Sequence, residues 1–388
     1  MKIMHVITRL ILGGAQENTL LTVEGLLARG HEVALVTGPA IGPEGDLIHR
    51  AERHHVPLVI VKSMRRAINP VLDSLAFLKL VRLMRRMNPD VVHTHSSKAG
   101  ILGRLAARRC GVPVVVHTIH GLPFHPYQNF LVNRLYVFLE RRCARYSTRI
   151  VSVADAMTRQ ALAAGVGHPD QFVTVYSGME VEPFLEARTH RARVRAELGI
   201  EPDELVVGKI ARLSDLKGHT YLFQAVPEVL KRFPRTRFLL VGDGWLRGEL
   251  EEDAHRLGIF DRLIFTGLVP PARIPELIGA MDVVVHTSLR EGLARVLPQA
   301  LIAGVPVVSY DVDGAAEVVL EGQTGFLVPP TSIKPLAEAL IRLLDSPELR
   351  ERFGRRGQDL VTDRFRAETM VRRIEEVYRE TMGEPPRP

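Results

Sequence analysis

Cysteine is nearly absent from this chain of 388 residues, which excludes a disulfide scaffold and a thiolate metal cluster. The two present, Cys110 and Cys143, stand far apart in helix-like segments and outside any C-x-x-C pair, so both are expected to be buried, reduced and inert. No apolar run approaches the roughly 20 residues that span a bilayer. The opening MKIMHVITRL enters a strand pattern directly where a secretory leader would place a charged and then an apolar stretch. The expected location is the cytoplasm. Low-complexity tracts are missing too, and 46% hydrophobic with 24% charged residues is the composition of a folded chain. Its length exceeds one ordinary core and suits two domains of roughly 150 to 200 residues each.

Acid is scarce in the first half. Residues 1–190 carry 23 Lys and Arg against 14 Asp and Glu, a balance of +9, while residues 191–388 carry 28 against 30. A basic face can meet nucleic acid, anionic lipid or a phosphorylated substrate, and charge alone does not choose. Arg65, Arg66, Arg82, Arg85, Arg86, Arg104, Arg108 and Arg109 sit among aliphatic residues in helix-like segments, and the stretch from Arg134 to Arg149 adds Tyr136, Phe138 and Tyr146. That mixture suits an anionic membrane surface better than a nucleic-acid platform. Ordinary solvated helix faces are the alternative.

Short β-branched runs alternate with longer helical patterns, the signature of βαβ units and parallel sheets. The first half predicts strands over Lys2–Thr8, Val33–Thr37, Leu58–Val61, Val91–Thr94, Val114–Thr118, Ile150–Val153 and Phe172–Val175. From Tyr176 to Thr189 the sequence is turn-rich, and a division falls near residue 190. The second half predicts strands over Val206–Ile210, Phe238–Val241, Leu263–Thr266, Val283–His286, Val307–Ser309 and Gly325–Val328. The expected fold is α/β, with two Rossmann-like doubly wound domains, 1–190 and 191–365, facing across a cleft lined by strand carboxyl ends. A helix from Arg366 to Met382 packs back on the first domain, and Gly383–Pro388 forms a frayed tail.

Three loops at strand ends carry candidate chemistry. Gly13-Gly14 follows the first strand and opens a helix near Ala15, where free N–H groups could receive a phosphate, or where glycine serves only the turn. After Ile210 the chain reads Ala-Arg212-Leu-Ser-Asp-Leu-Lys217-Gly218, two cations able to grip both phosphates of a nucleotide diphosphate, or a pair of surface charges. After His286 comes Ser288-Leu-Arg-Glu291-Gly292-Leu293-Ala294-Arg295-Val296-Leu-Pro-Gln299. Glu291-Gly292 would open a helix, leaving the N–H groups of Leu293, Ala294, Arg295 and Val296 to a phosphate. Gln299 would then lie two turns on, on nearly the same face. Alone, this could be a capped helix with two solvated polar side chains.

In combination these residues resemble glycosyltransferase family 4, retaining enzymes of the GT-B fold. The family's Glu-Gly, a second Glu eight positions on and Ala-Gly-x-Pro-Val-Val correspond to Glu291-Gly292, Gln299 and Ala303-Gly304-Val305-Pro306-Val307-Val308. The resemblance spans nearly the whole chain, through His93-Thr94-His95-Ser96, His120-Gly121, Tyr176-Ser177-Gly178, Val241-Gly242-Asp243-Gly244 and Phe265-Thr266-Gly267. It implies transfer of a sugar from a nucleotide-diphosphate donor, UDP-linked, with no cofactor and no metal. Arg212 and Lys217 would hold the diphosphate, Glu291 and the 293–296 amides the transferred sugar and distal phosphate, and position 299 the ribose. Gly13 and Gly14 would approach the diphosphate, and His120 would sit by the sugar. Gln299 departs from the family's Glu, and Tyr176-Ser177-Gly178 from its Pro-Asn-Gly turn. The implied acceptor is a glycan or a polyprenyl-diphosphate-linked oligosaccharide, as in members that build surface polysaccharides, met by a peripheral protein at the inner membrane face; a small soluble acceptor is the alternative.

Rival readings come from other residues. His93 and His95 share a strand face like two metal ligands, with no third apparent. His120 could be a satisfied core histidine. Gly242-Asp-Gly244-Trp-Leu-Arg-Gly248 after a strand has the look of a dinucleotide fingerprint and suggests an NAD(P)-dependent oxidoreductase, although no acidic residue closes the next strand. A sugar-nucleotide epimerase, a phosphorylase or a silent sugar-binding protein on the same fold would also fit.

Overall fold

The computed structural model describes residues 1–41 and 45–383. The chain forms two compact units, Met1–Met179 with the chain from Arg366 onward, and Glu180–Phe365. In each, the β-branched runs become parallel strands, the inner ones buried on both faces, which is why those read as nearly continuous apolar stretches.

The first unit holds β1 (Lys2–Arg9), β2 (Glu32–Gly38), β3 (Leu58–Ile60), β4 (Val91–His95), β5 (Val114–Ile119), β6 (Arg149–Ser152) and β7 (Phe172–Thr174), in the order β3-β2-β1-β4-β5-β6-β7. One face packs Ile3, Ile7 and Leu20 with Met370, Ile374 and Tyr378; the other packs Met4, Val6 and Leu80 with Val92 and Val115. Two of the helices start where an asparagine side chain replaces missing backbone partners. Asn69 accepts from Val71 N and Leu72 N to open the helix Pro70–Met87, and Asn129 does the same for Phe130–Ala144.

The second unit holds β8 (Val206–Ile210), β9 (Arg237–Val241), β10 (Leu263–Phe265), β11 (Val283–His286), β12 (Val307–Tyr310) and β13 (Gly325–Val328), in the order β10-β9-β8-β11-β12-β13. Both sheets are doubly wound, and strand order reverses between β1 and β4 and again between β8 and β11. In open α/β sheets those reversal points leave a crevice at the carboxyl ends.

The division differs from the expected residue 190. Phe184 and Ala187 are buried, and a Cβ on Gly279 would lie 2.0 Å from the Ala187 carbonyl oxygen, so residues 180–190 are seated on the second unit although they read as a linker. The C-terminal helix Ala367–Met382 packs on the helix Gly14–Ala28, where Gly25 leaves room for Val371. Glu375 anchors it through Arg29 and through His31 at 3.1 Å, and also pairs with Arg379 of its own helix at 2.9 Å. Burial works against the Glu375 charge, but the hydrogen bonds from Arg379, Arg29 and His31 win and hold its carboxyl at about 2. Gly178 sits against Ala367 and Met370 with no space for a Cβ, which is the packing role of the Tyr176-Ser177-Gly178 turn. The tail expected over Gly383–Pro388 lies, past Gly383, outside the described residues.

Three surface expectations change. Cys110 is only half-buried, although both cysteines are free. Arg65 and Arg66 stand in a loop ahead of the helix Pro70–Met87. Arg104 belongs to no basic face, for its guanidinium is fully buried and pairs with Glu140 at 2.8 Å. Among the described residues no helix is long and apolar enough to cross a membrane.

Candidate active site

In the second unit the two candidate loops leave β8 and β11, neighbouring strands at the reversal of strand order. Loop 211–218 turns sharply, with Leu216 at φ 63° and Gly218 at φ 64°. A Cβ on Gly218 would lie 2.0 Å from the Thr287 carbonyl oxygen, so only glycine lets the loops meet there. Leu289 N donates to Leu216 O at 2.8 Å, and Thr287 Oγ1 donates to Gly218 O at 2.6 Å. His219, whose ring burial pushes down to about 3, is neutral and donates from Nε2 to Arg212 O at 3.0 Å.

This frame brings Lys217 and Glu291 together, with Nζ donating to Oε1 at 2.5 Å and both side chains about a quarter exposed. Burial opposes the Glu291 charge, but His286 and the Lys217 ammonium outweigh it and hold the carboxyl well below the usual carboxylate range. Lys217 is the decisive partner, because His286 is itself kept neutral by burial and lies 3.7 Å away, beyond hydrogen-bond reach. Arg212 is exposed, and among the described residues its guanidinium has no protein partner.

The clasp differs in one respect from expectation. Glu291-Gly292 does not open the helix; Val296–Ile302 begins five residues later, and 291–295 runs as a loop. The cause is tertiary. Glu291 N donates to Asp313 Oδ2 at 2.6 Å and Gly314 N donates to Gly292 O at 3.2 Å, so the turn after β12 holds this segment out of the helix. Glu291 and Gln299 therefore share no helix face. The amides of Leu293, Ala294 and Val296 make no backbone hydrogen bond to the described residues outside their helix, and Gln299 is half-buried on the helix. Arg295 is the residue immediately before that helix and makes no side-chain capping hydrogen bond.

Lys209 is a member the sequence reading missed. It is buried in β8, and Nζ donates to Lys217 O at 2.8 Å and Thr287 Oγ1 at 2.7 Å, tying the two loops. A lysine inside the apolar run Val-Val-Gly-Lys-Ile was the available signal. Burial, aided by the Lys217 charge, lowers its ammonium from 10.5 to about 7. Between those values the unfolded chain holds a proton that the folded protein does not. Stability from this group is therefore present above the unfolded value and lost as pH falls through about 7. Denaturant unfolding should show stability rising from about pH 7 to 10, by at most about 1.4 kcal/mol per pH unit from this residue, and Lys209→Met should remove that part of the slope.

In the first unit, the crevice at the β1/β4 reversal is a pocket of about 260 Å³, lined by Ala15, Ser96, Ser97, His120, Gly121 and Glu140 among others. Gly13 and Gly14 are exposed where the helix Gly14–Ala28 begins, one residue earlier than expected. Ser96 holds φ 62° and ψ 160°, a strained conformation for a residue with a side chain. Thr8 Oγ1 lies 2.7 Å from Ser96 Oγ and accepts from Ala99 N at 3.1 Å, fixing the turn. His120 is half-buried at the end of β5, with Nε2 3.1 Å from His95 Nδ1. The missing third neighbour of His93 and His95 is also present: β1 pairs His5 with His93, and ring nitrogens of the three lie within 4.8 Å of one another. Register in a parallel sheet is invisible in sequence.

The Glycosyl transferases group 1 model matches residues 190–360, and the Glycosyl transferase 4-like domain model matches residues 13–178. The chain is 30% identical to the 2-deoxystreptamine glucosyltransferase of Streptomyces kanamyceticus, covering 75% of this chain and 77% of that one. It belongs to the glycosyltransferase family 4. It is also 28% identical over 380 residues to the UDP-Gal:alpha-D-GlcNAc-diphosphoundecaprenol alpha-1,3-galactosyltransferase of Escherichia coli, across 97% of this chain and 96% of the relative. Among solved structures, that of Anabaena Alr3699/HepE in complex with UDP superposes with a TM-score of 0.83 at 25% identity, covering 98% of this chain and 100% of that one. The doubly wound units are thus those of a GT-B glycosyltransferase.

The dinucleotide reading of Gly242-Asp-Gly244 has a structural answer in this glycosyltransferase. Added Cβ atoms would lie 2.3 Å from Ala211 O and 2.1 Å from Leu213 O, so both glycines serve the packing of one loop against the 211–213 segment.

Proposed function

We propose that this glycosyltransferase is a retaining, metal-independent hexosyltransferase moving a sugar from a UDP-linked donor to a hydroxyl of a polyprenyl-diphosphate-linked or polysaccharide acceptor. The observation that carries the donor half is the Lys217–Glu291 pair at the β8/β11 reversal, with the exposed Arg212 on the same loop as Lys217. A diphosphate draws the two cations, which stabilise charge as the nucleotide leaves. Glu291, ionised, then accepts from the sugar hydroxyls, while the 293–296 amides meet the distal phosphate. Gln299 takes the ribose, and Gly13 and Gly14 let backbone approach the diphosphate. His120 faces the transferred sugar. The UDP in the Anabaena structure's description and the UDP-galactose and undecaprenol in the Escherichia coli relative's name support this choice of donor and acceptor.

Gln299 is where donor affinity should respond. An amide lacks the charge-assisted component of a carboxylate's hydrogen bond, worth about 1 kcal/mol. Gln299→Glu is expected to lower the donor KM about fivefold with kcat little changed. An unchanged or raised KM removes the ribose role from this residue.

The first unit provides the surface for a lipid-linked acceptor. On Pro70–Met87, Val71 (69% exposed), Leu75 and Leu78 stand out, with Arg82, Arg85 and Arg86 following along the helix. On Phe130–Ala144, Phe130, Leu131 (71% exposed), Leu135 and Phe138 accompany Arg134, Arg141 and Arg142. Apolar residues interleaved with arginine suit peripheral contact with anionic lipid at the cytoplasmic membrane face. Flotation should carry the protein with vesicles containing phosphatidylglycerol and leave it behind with neutral ones, and Leu131→Ser with Phe138→Ser should weaken binding at least tenfold, two buried apolar side chains being worth about 3 kcal/mol. Failure to bind anionic vesicles would favour a soluble acceptor.

A further inference from the structure

The histidines beneath the first unit's pocket form a file. His93 Nε2 lies 2.6 Å from Thr118 Oγ1, and His93 Nδ1 lies 2.5 Å from Tyr378 Oη. Tyr378 Oη lies 3.4 Å from His5 Nε2, His5 Nδ1 lies 3.0 Å from His95 Nε2, and His95 Nδ1 lies 3.1 Å from His120 Nε2. Every member before His120 is buried, at 0% to 4% exposure. The file thus joins the C-terminal helix to the pocket through three strands.

We propose that Thr118, His93, Tyr378, His5, His95 and His120 form one hydrogen-bonded relay that locks the tautomer of His120 to those of the buried rings, making Tyr378 a positioning residue for the sugar-side histidine. Burial pushes the His5 ring down to about 3 and the His93 and His95 rings well below their ordinary value, so each carries one N–H and one lone pair. If Thr118 donates to His93, then His93 donates to Tyr378, Tyr378 to His5, His5 to His95 and His95 to His120. Reversing the first bond reverses them all. A mixed arrangement would leave either a buried proton without an acceptor or two lone pairs facing each other along the file, at a cost comparable to a lost hydrogen bond.

A metal ion is the competing use of His5, His93 and His95, whose nitrogens are close enough to share one. Against it, Thr118 and Tyr378 occupy both nitrogens of His93, and the 3.0 Å approach of His5 to His95 is that of an N–H···N bond.

The proposal rests on the reading of His120 as the sugar-side residue, but its test needs no donor. In the full chain labelled with ¹⁵N-histidine, scalar couplings across the hydrogen bonds should link His5 with His95 and His95 with His120, and the tautomers of the three rings should all follow one direction of donation. Tyr378→Phe and His5→Gln should shift the His120 ring nitrogens toward a tautomer mixture and lower kcat roughly tenfold, about 1.4 kcal/mol, with the donor KM within twofold. Absent couplings in the wild type, unaltered His120 nitrogens in the folded variants, or one zinc per chain surviving dialysis would each overturn the relay. Couplings present without sugar transfer would instead sink only the functional reading.

Discussion

Lys217→Ala is expected to lower kcat by about 10²- to 10³-fold, the cost of removing one preorganised electrostatic contact from a transition state that accumulates charge. The variant should keep its fold. The backbone carbonyl of Lys217, not its side chain, receives Lys209, and Leu216 O and Gly218 O still hold the β11 loop. What is lost is the ammonium 2.5 Å from Glu291, whose carboxyl then rises from its depressed value. Steady-state kinetics on the variant, with thermal unfolding as the control for folding, checks this. A loss confined to KM would mean that Lys217 binds donor and transition state equally. Arg212→Ala should behave alike, since only the Arg212 backbone carbonyl takes part in the loop's hydrogen bonds.

His120→Ala is expected to lower kcat about 100-fold while leaving the donor Kd within about twofold, because the cations proposed to grip the diphosphate, Arg212 and Lys217, belong to the other unit. The variant loses the hydrogen bond between His95 Nδ1 and His120 Nε2, which costs about 1 to 3 kcal/mol if His95 is left unsatisfied. Donor titration by calorimetry beside kinetics separates the two effects. A parallel fall in affinity would make His120 a donor-binding residue and remove it from the reacting centre.

Much of this architecture was legible in the sequence because parallel strands buried on both faces write themselves as β-branched runs. The same pattern placed the Gly13-Gly14, Arg212–Lys217 and Glu291 loops at carboxyl ends. What stayed hidden depends on partners distant in sequence. The pull of Asp313 and Gly314 on the 291–292 segment delays the helix to Val296, though the local pattern invites it to start at Glu291. Residues 180–190 carry linker composition, yet Phe184 and Ala187 bury on the second unit. Arg104 reads as surface charge until Glu140 is brought to it by the fold. His5 lies far along the chain from His93, and only the β1/β4 register makes them neighbours.

Incubating the protein with UDP-sugars and a polyprenyl-diphosphate-linked acceptor, in the presence of a metal chelator, tests the central claim most directly, with released UDP and the product's anomeric configuration followed together by NMR. The account predicts stoichiometric UDP release, an unchanged rate with chelator, and a product that keeps the donor's anomeric configuration. An inverted product, or a folded protein that releases UDP only when a divalent metal is restored, would contradict it.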